Sequence, residues 1–146
     1  RFPGDPAMVE HASRTMDEQG RATQAADLIE AFVEKHPEVA RGYELLEARY
    51  EQNGNRPAAN DVATDWMARF PGDAAALSAW LRTAGAESSG VVEGTVAAAL
   101  PAILEGRLAE PVWGLCTTMS RRKERGVAAS GEACMAEIAE RGATGF

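Results

Sequence analysis

Apolar residues in this chain return at steps of three and four, the spacing of one face of a helix. Val9, Ala12 and Met16 form one stripe that stops before Gly20, and Ala25, Leu28, Ile29 and Phe32 form another that stops before Pro37. The pattern predicts helix, turn, helix, turn. Gly20 and Gly54 stand where a first helix must end, because glycine takes the left-handed C-cap conformation at least cost. Pro37 and Pro71 follow the second helices, where a missing N–H and a restricted preceding residue stop helix growth. Asp5 and Asp73 precede the next helix and are placed to cap its open N–H groups.

The pattern repeats. Phe2-Pro3-Gly4-Asp5 returns 68 positions later as Phe70-Pro71-Gly72-Asp73, and His36-Pro37-Glu38-Val39 stands at the midpoint. The implied period of 34 is kept by Gly20 and Gly54, by Ala25 and Ala59, by Asp27 and Asp61, and by Glu10 and Glu44. Four apolar series extend it to a third segment: Val9, Tyr43, Leu77; Ala12, Leu46, Trp80; Leu28, Val62, Val96; and Phe32, Trp66, Leu100. Three segments, 6–39, 40–73 and 74–107, therefore share one phase. The third is degenerate, with Ser88 in the glycine position, a looser turn at 87–90, and Pro101 expected to interrupt its second helix. Residues 109–146 fall out of phase and read as one more hairpin. Val112, Trp113, Cys116 and Met119 lie on its first helix, the turn falls near Arg125-Gly126, and Ala133, Cys134 and Ile138 lie on its second helix, with a loose tail from Gly142.

A 34-residue helical hairpin with small residues at its turn and a closing proline resembles the tetratricopeptide repeat family, over residues 2–104 and most closely in the first two segments. Glu47 and Leu81 stand where the family has a small residue in the first helix, and Phe32 and Trp66 where it has alanine in the second. The resemblance implies an all-α solenoid of stacked antiparallel hairpins over residues 1–108, closed by a divergent C-terminal capping hairpin over 109–146 whose outer face tolerates water. It also implies a concave groove, lined by the first helices, that holds a peptide or a partner protein. By periodicity the groove-facing residues are Glu10, Arg14, Asp17 and Glu18 in the first segment, and Arg41, Glu44, Glu51 and Gln52 in the second. Ser78 and Arg82 follow in the third, and Thr118, Arg121 and Arg122 in the last hairpin. Family members that bind chaperones hold a peptide's terminal carboxylate with Lys and Asn on these faces. Glu10 and Glu44 occupy such places here, which favours a partner segment carrying Lys or Arg. The competing reading is a solvated helix face stabilised by its own neighbouring pairs.

Composition narrows the function classes. Of 146 residues 45% are hydrophobic and only 6% aromatic, which favours helix over strand. The net charge of −7 opposes a nucleic-acid partner, and the one basic run, Arg121-Arg122-Lys123-Glu124-Arg125, is short and suits the negative end of the helix before Gly126. No run of about 18 apolar residues is available for direct membrane insertion. The sequence opens at Arg1, which is read as processing or as excision from a longer chain. Trp66, Trp80 and Trp113 fall on the apolar phase and are expected in the core. His36 sits at a helix end, and His11 has no nucleophile or carboxylate arranged around it, so neither supports catalysis. With two histidines and two cysteines out of CxxC spacing, no metal site or other cofactor is expected.

Cys116 and Cys134 are equidistant from the expected turn at Arg125-Gly126, so the two sulfurs can face one another across the hairpin. Either they form a disulfide, which suits an oxidising compartment such as a bacterial periplasm, or they are two buried thiols of a cytoplasmic protein. The first is preferred. Nothing basic nearby would specifically activate either thiol for redox catalysis. The function expected from all this is a non-catalytic interaction module or scaffold that takes up a peptide or partner subunit. The alternatives are a regulatory or recruiting part of a larger enzyme complex, and a structural subunit docked through its ends.

Overall fold

The computed structural model describes residues 5–84, 89–105 and 110–143 and is helical throughout, with no strand among the described residues. Eight helices are described: α1 (Pro6–Glu18), α2 (Ala22–Lys35), α3 (Ala40–Gln52), α4 (Arg56–Arg69), α5 (Ala74–Thr83), α6 (Ser89–Glu105), α7 (Glu110–Ser120) and α8 (Arg125–Ala143). The starts of α1, α3 and α5 at residues 6, 40 and 74 keep the 34-residue period, as do those of α2 and α4 at 22 and 56. The Phe2-Pro3-Gly4 motif, Ser88 and the tail residues 144–146 lie outside the described residues.

Local signals act as the sequence dictates. Gly20 and Gly54 have φ of 71° and 74°, the left-handed conformation that a side chain would disfavour. Behind them the N–H of Arg21 reaches the carbonyl of Met16 and that of Asn55 reaches Tyr50, both at 2.8 Å, so each first helix closes with the same paired-carbonyl cap. Asp5 accepts from the N–H of Ala7 and Asp73 from that of Ala75, both at 3.0 Å, and Pro6 occupies the first turn of α1, where its missing N–H costs nothing.

The chain forms two compact units, residues 1–69 and 70–146. The period alone draws its boundary at 108. Within the second unit α5 packs on α7 and α6 on α8, which joins the third 34-residue segment to the last hairpin.

In the first unit α1 packs on α2, α2 on α3, and α3 on α4. Val9, Ala25, Ile29, Phe32, Tyr43, Leu46, Ala59, Val62 and Trp66 are buried there, so most of the in-phase apolar residues do form the interior. Gly42 lets α3 close on α2: a Cβ at this position would meet the Phe32 ring at 3.1 Å. The bulky Phe32 is accommodated by the loss of a side chain opposite it.

In the second unit Leu77, Trp80, Leu81, Val92, Val96, Ile103, Val112, Leu115, Met119 and Val127 are buried. Three features differ from the sequence expectation. Pro101 lies inside α6 rather than interrupting it. It is exposed, as are Ala97 and Ala98 one turn earlier, so the carbonyl that loses its helical partner faces water. The link between α7 and α8 is 121–124 and not Arg125-Gly126, since Arg125 already begins α8. Trp113 is not a core residue: it is 44% exposed, because α7 buries Val112, Leu115, Cys116 and Met119 and leaves position 113 at the edge of that face.

Cys116 and Cys134 are joined as a disulfide with Cα atoms 5.6 Å apart, and both are fully buried. Their register is set by Gly131. A Cβ there would lie 2.3 Å from the Ser120 nitrogen and 2.7 Å from the Cys116 carbonyl oxygen, so the bare backbone lets α8 lie directly on α7. Cys134 then follows one turn along the same face.

Candidate functional site

The candidate surface of the first unit is built from the exposed positions of α1 and α3. Glu10 is the meeting point. Its Oε2 accepts from Arg41 of α3 at 3.0 Å and lies 3.5 Å from Arg14, one turn along α1. Arg41 also bonds Glu44, one turn along its own helix. That bond, reinforced by the one to Glu10 and opposed by partial burial, holds the Arg41 guanidinium even more firmly protonated than usual. Four residues expected to face a partner, Glu10, Arg14, Arg41 and Glu44, therefore lie together on one surface with side chains between 30% and 68% exposed.

Asp17 is brought to the same pair of helices for another purpose. Both its oxygens accept from the Arg49 guanidinium at 2.6 Å, and Arg49 is buried. The sequence placed Asp17 on the binding face; the structure engages it in a second rung between α1 and α3. Arg49 was not a candidate, and no periodic signal marks it, since it lies 32 rather than 34 residues from Asp17. Beside it Tyr50 donates to Glu30 of α2 at 2.6 Å. That hydrogen bond, helped by partial burial, pushes the phenol up to about 12. Glu18, Glu51 and Gln52 are exposed at the C-terminal ends of α1 and α3.

The candidates of the second unit are not equivalent. Arg82 is exposed in the last turn of α5 and Ser78 is half-buried. Arg122 is half-buried: its Nε and one terminal nitrogen donate to the two oxygens of Glu124 at 2.9 Å, and the other reaches the Leu81 carbonyl at 3.3 Å. It thus ties the α7–α8 link to the C-terminal end of α5, where a cation is favoured. Glu124 is buried, and the hydrogen bonds from Arg122 outweigh that burial and hold its carboxyl below the usual carboxylate range. Arg121, Lys123 and Arg125 are exposed, and Thr118 turns its hydroxyl back to the Gly114 carbonyl at 2.9 Å. The basic run therefore splits into one structural arginine and three surface cations.

His11 is exposed, and His36 caps α2 with its ring 5.1 Å from that of Phe32 and its Nδ1 3.4 Å from Glu38. Among the described residues no three His, Cys, Asp or Glu side chains are grouped to hold a metal ion, and no helix is long and apolar enough to cross a membrane. No family model, curated protein or solved structure matches the chain.

Proposed function

We propose that this chain is a non-catalytic protein-interaction module, a tetratricopeptide-like array of helical hairpins, that binds a partner segment carrying Lys or Arg along the outer face of α1 and α3. The observation that carries the reading is the bond from Arg41 to Glu10, which brings the polar positions of two first helices onto one surface. A contiguous charged surface on paired helices can draw and orient an oppositely charged segment. The 34-residue spacing of helix starts supports the array.

Charge gives the partner its sign. Residues 1–69 hold 13 Asp or Glu against eight Lys or Arg, so a cationic segment is drawn towards them at low ionic strength. At the surface, Arg14 is the most replaceable cation, 68% exposed and 3.5 Å from Glu10. A partner's Lys or Arg takes its place without unfolding anything.

The test is retention of a fluorescent Lys/Arg-rich peptide by the chain and by its Glu10→Lys and Glu44→Lys variants, at low and high salt. Each exposed pair lost costs the fold up to about 1 kcal/mol, and the new like-charge contacts with Arg14 and Arg41 add a few tenths each, so thermal unfolding of the variants is measured alongside binding. Binding should weaken with salt and be lost in the double reversal. Equal retention by the double variant would sink the proposal.

A further inference from the structure

The second unit carries a different surface, independent of the α1–α3 face. Trp66 and Trp80 are 3% and 6% exposed, whereas Trp113 stands 44% exposed on α7. Beside it Gly114 is bare, with nothing within 4 Å of where a Cβ would be. One turn on, Thr117 and Thr118 donate their hydroxyls back to the carbonyls of Trp113 and Gly114, both at 2.9 Å. What these two threonines offer a neighbour is therefore mainly their methyl groups. The outer face of α7 thus presents an indole ridge, an open notch at Gly114, and a small methyl-lined floor.

The inner face of the same helix is fixed. Val112, Leu115, Cys116 and Met119 are buried, and the disulfide to Cys134 clamps α7 to α8. An exposed aromatic on a helix that cannot rotate away is preorganised for contact, and Trp is the residue type most enriched where binding energy concentrates. The stripe of Trp113 and Thr117 continues to Arg121 just beyond the helix end. Arg121, Lys123 and Arg125 are all exposed, and Lys123 adds its charge to the hold on buried Glu124. In a chain of net charge −7, Arg121 two turns along from the exposed indole, followed by Lys123 in the link and Arg125 at the start of α8, is a local reversal of sign.

We propose that the outer face of α7 docks an acidic amphipathic helix of a partner protein. The partner's apolar stripe packs over Trp113 and into the Gly114 notch, and its Asp or Glu side chains meet Arg121, Lys123 and Arg125. Small residues four apart, Gly114 and Thr118, allow a second helix to approach closely, which a flat lipid surface does not require. An anionic membrane would gain only one indole and about 1 kcal/mol for each cation, against the repulsion of the rest of the chain.

The probe is a fluorescent synthetic helix of about 20 residues, long enough to hold helical structure, with Leu along one face and Glu flanking it, compared with a Lys-flanked counterpart by anisotropy. The Glu helix should bind and the Lys helix should not. Trp113→Ala and the double reversal Arg121→Glu with Arg125→Glu should each weaken binding at least about tenfold. Gly114→Leu is the separating variant: open space surrounds the position and leucine is the better helix former, so its thermal unfolding should equal or exceed that of the parent while the filled notch abolishes binding. Failure of the Glu helix to bind, unchanged binding in Gly114→Leu, or stronger capture by phosphatidylserine vesicles than by the Glu helix would each overturn the proposal. The Glu10→Lys and Glu44→Lys reversals should leave this binding unchanged, which separates its failure from that of the α1–α3 reading.

Discussion

Asp17 on α1 and Arg49 on α3 meet through two parallel hydrogen bonds of 2.6 Å, with the arginine buried and the aspartate about one-third exposed. A two-pronged bond of this kind fixes both distance and rotation between the helices, which a single surface contact does not. Removing the aspartate strands a buried guanidinium. Asp17→Asn should therefore destabilise the chain by about 2 kcal/mol, short of the full cost of breaking a wholly buried pair because Asp17 keeps some water. Arg49→Met should cost less, since a thioether of similar length restores an apolar contact. Urea unfolding of the two single variants and the double variant measures this, and a more severe Arg49→Met than Asp17→Asn would contradict it.

The Tyr50 phenol, donating to Glu30 at 2.6 Å, keeps its proton up to about pH 12 in the folded chain. The unfolded value is near 10. A raised folded value means that the stabilisation is fully present below about pH 10 and is lost as pH rises through about 12. Phenolate absorbance should show a late step that is absent in Tyr50→Phe and moves to lower pH in Glu30→Gln. A late step that survives Tyr50→Phe would assign it elsewhere.

Acid should act on the second unit through Glu124. Because Arg122 holds this carboxyl low, the pair stabilises above the unfolded glutamate value near 4.3 and is lost as pH falls through the lowered folded value. Arg122→Gln leaves Glu124 buried without its cation, and should cost on the order of 3 kcal/mol at neutral pH. The difference between the parent and this variant should begin to shrink above the usual glutamate range as pH falls, because burial without the cation raises the stranded carboxyl and lets it take up a proton early. A pH-independent difference in urea midpoints would exclude the linkage.

These three pairs also show what the sequence could and could not display. The caps at Gly20, Gly54, Asp5 and Asp73 were legible because each depends on a few adjacent residues and one backbone conformation. The apolar series were legible because burial follows helical period, and most of their members are interior. The rungs between α1 and α3 were not. Arg41 meets Glu10 across 31 residues and Arg49 meets Asp17 across 32, offsets set by how two helices lie together rather than by the repeat. Trp113 was misjudged because an apolar residue one step off the buried positions 112, 115, 116 and 119 keeps the phase in sequence while losing cover in space.

The cysteine pair was legible for a reason that the geometry replaces. Cys116 lies four residues before the end of α7 and Cys134 nine after the start of α8, so equal distance from the turn does not align them. Gly131 does, by admitting the α7 backbone at the place where a methyl would lie 2.3 Å from the Ser120 nitrogen and 2.8 Å from the Met119 carbonyl carbon. These are backbone atoms and cannot swing aside. Gly131→Ala should therefore cost on the order of 3 kcal/mol despite alanine's better helix propensity. Gly94→Ala is the control: it sits in α6 with nothing within 4 Å, and should gain up to about 1 kcal/mol. Forcing α8 off α7 also strains the link between Cys116 and Cys134. Its loop of 18 residues contributes about 3 kcal/mol by restricting the unfolded chain. Gly131→Ala should thus release both thiols to alkylation at a lower reductant concentration than the parent, whereas Gly94→Ala should not. If Gly131→Ala matched the parent in both thermal unfolding and thiol release, the close helix approach would not be what sets the register of the disulfide.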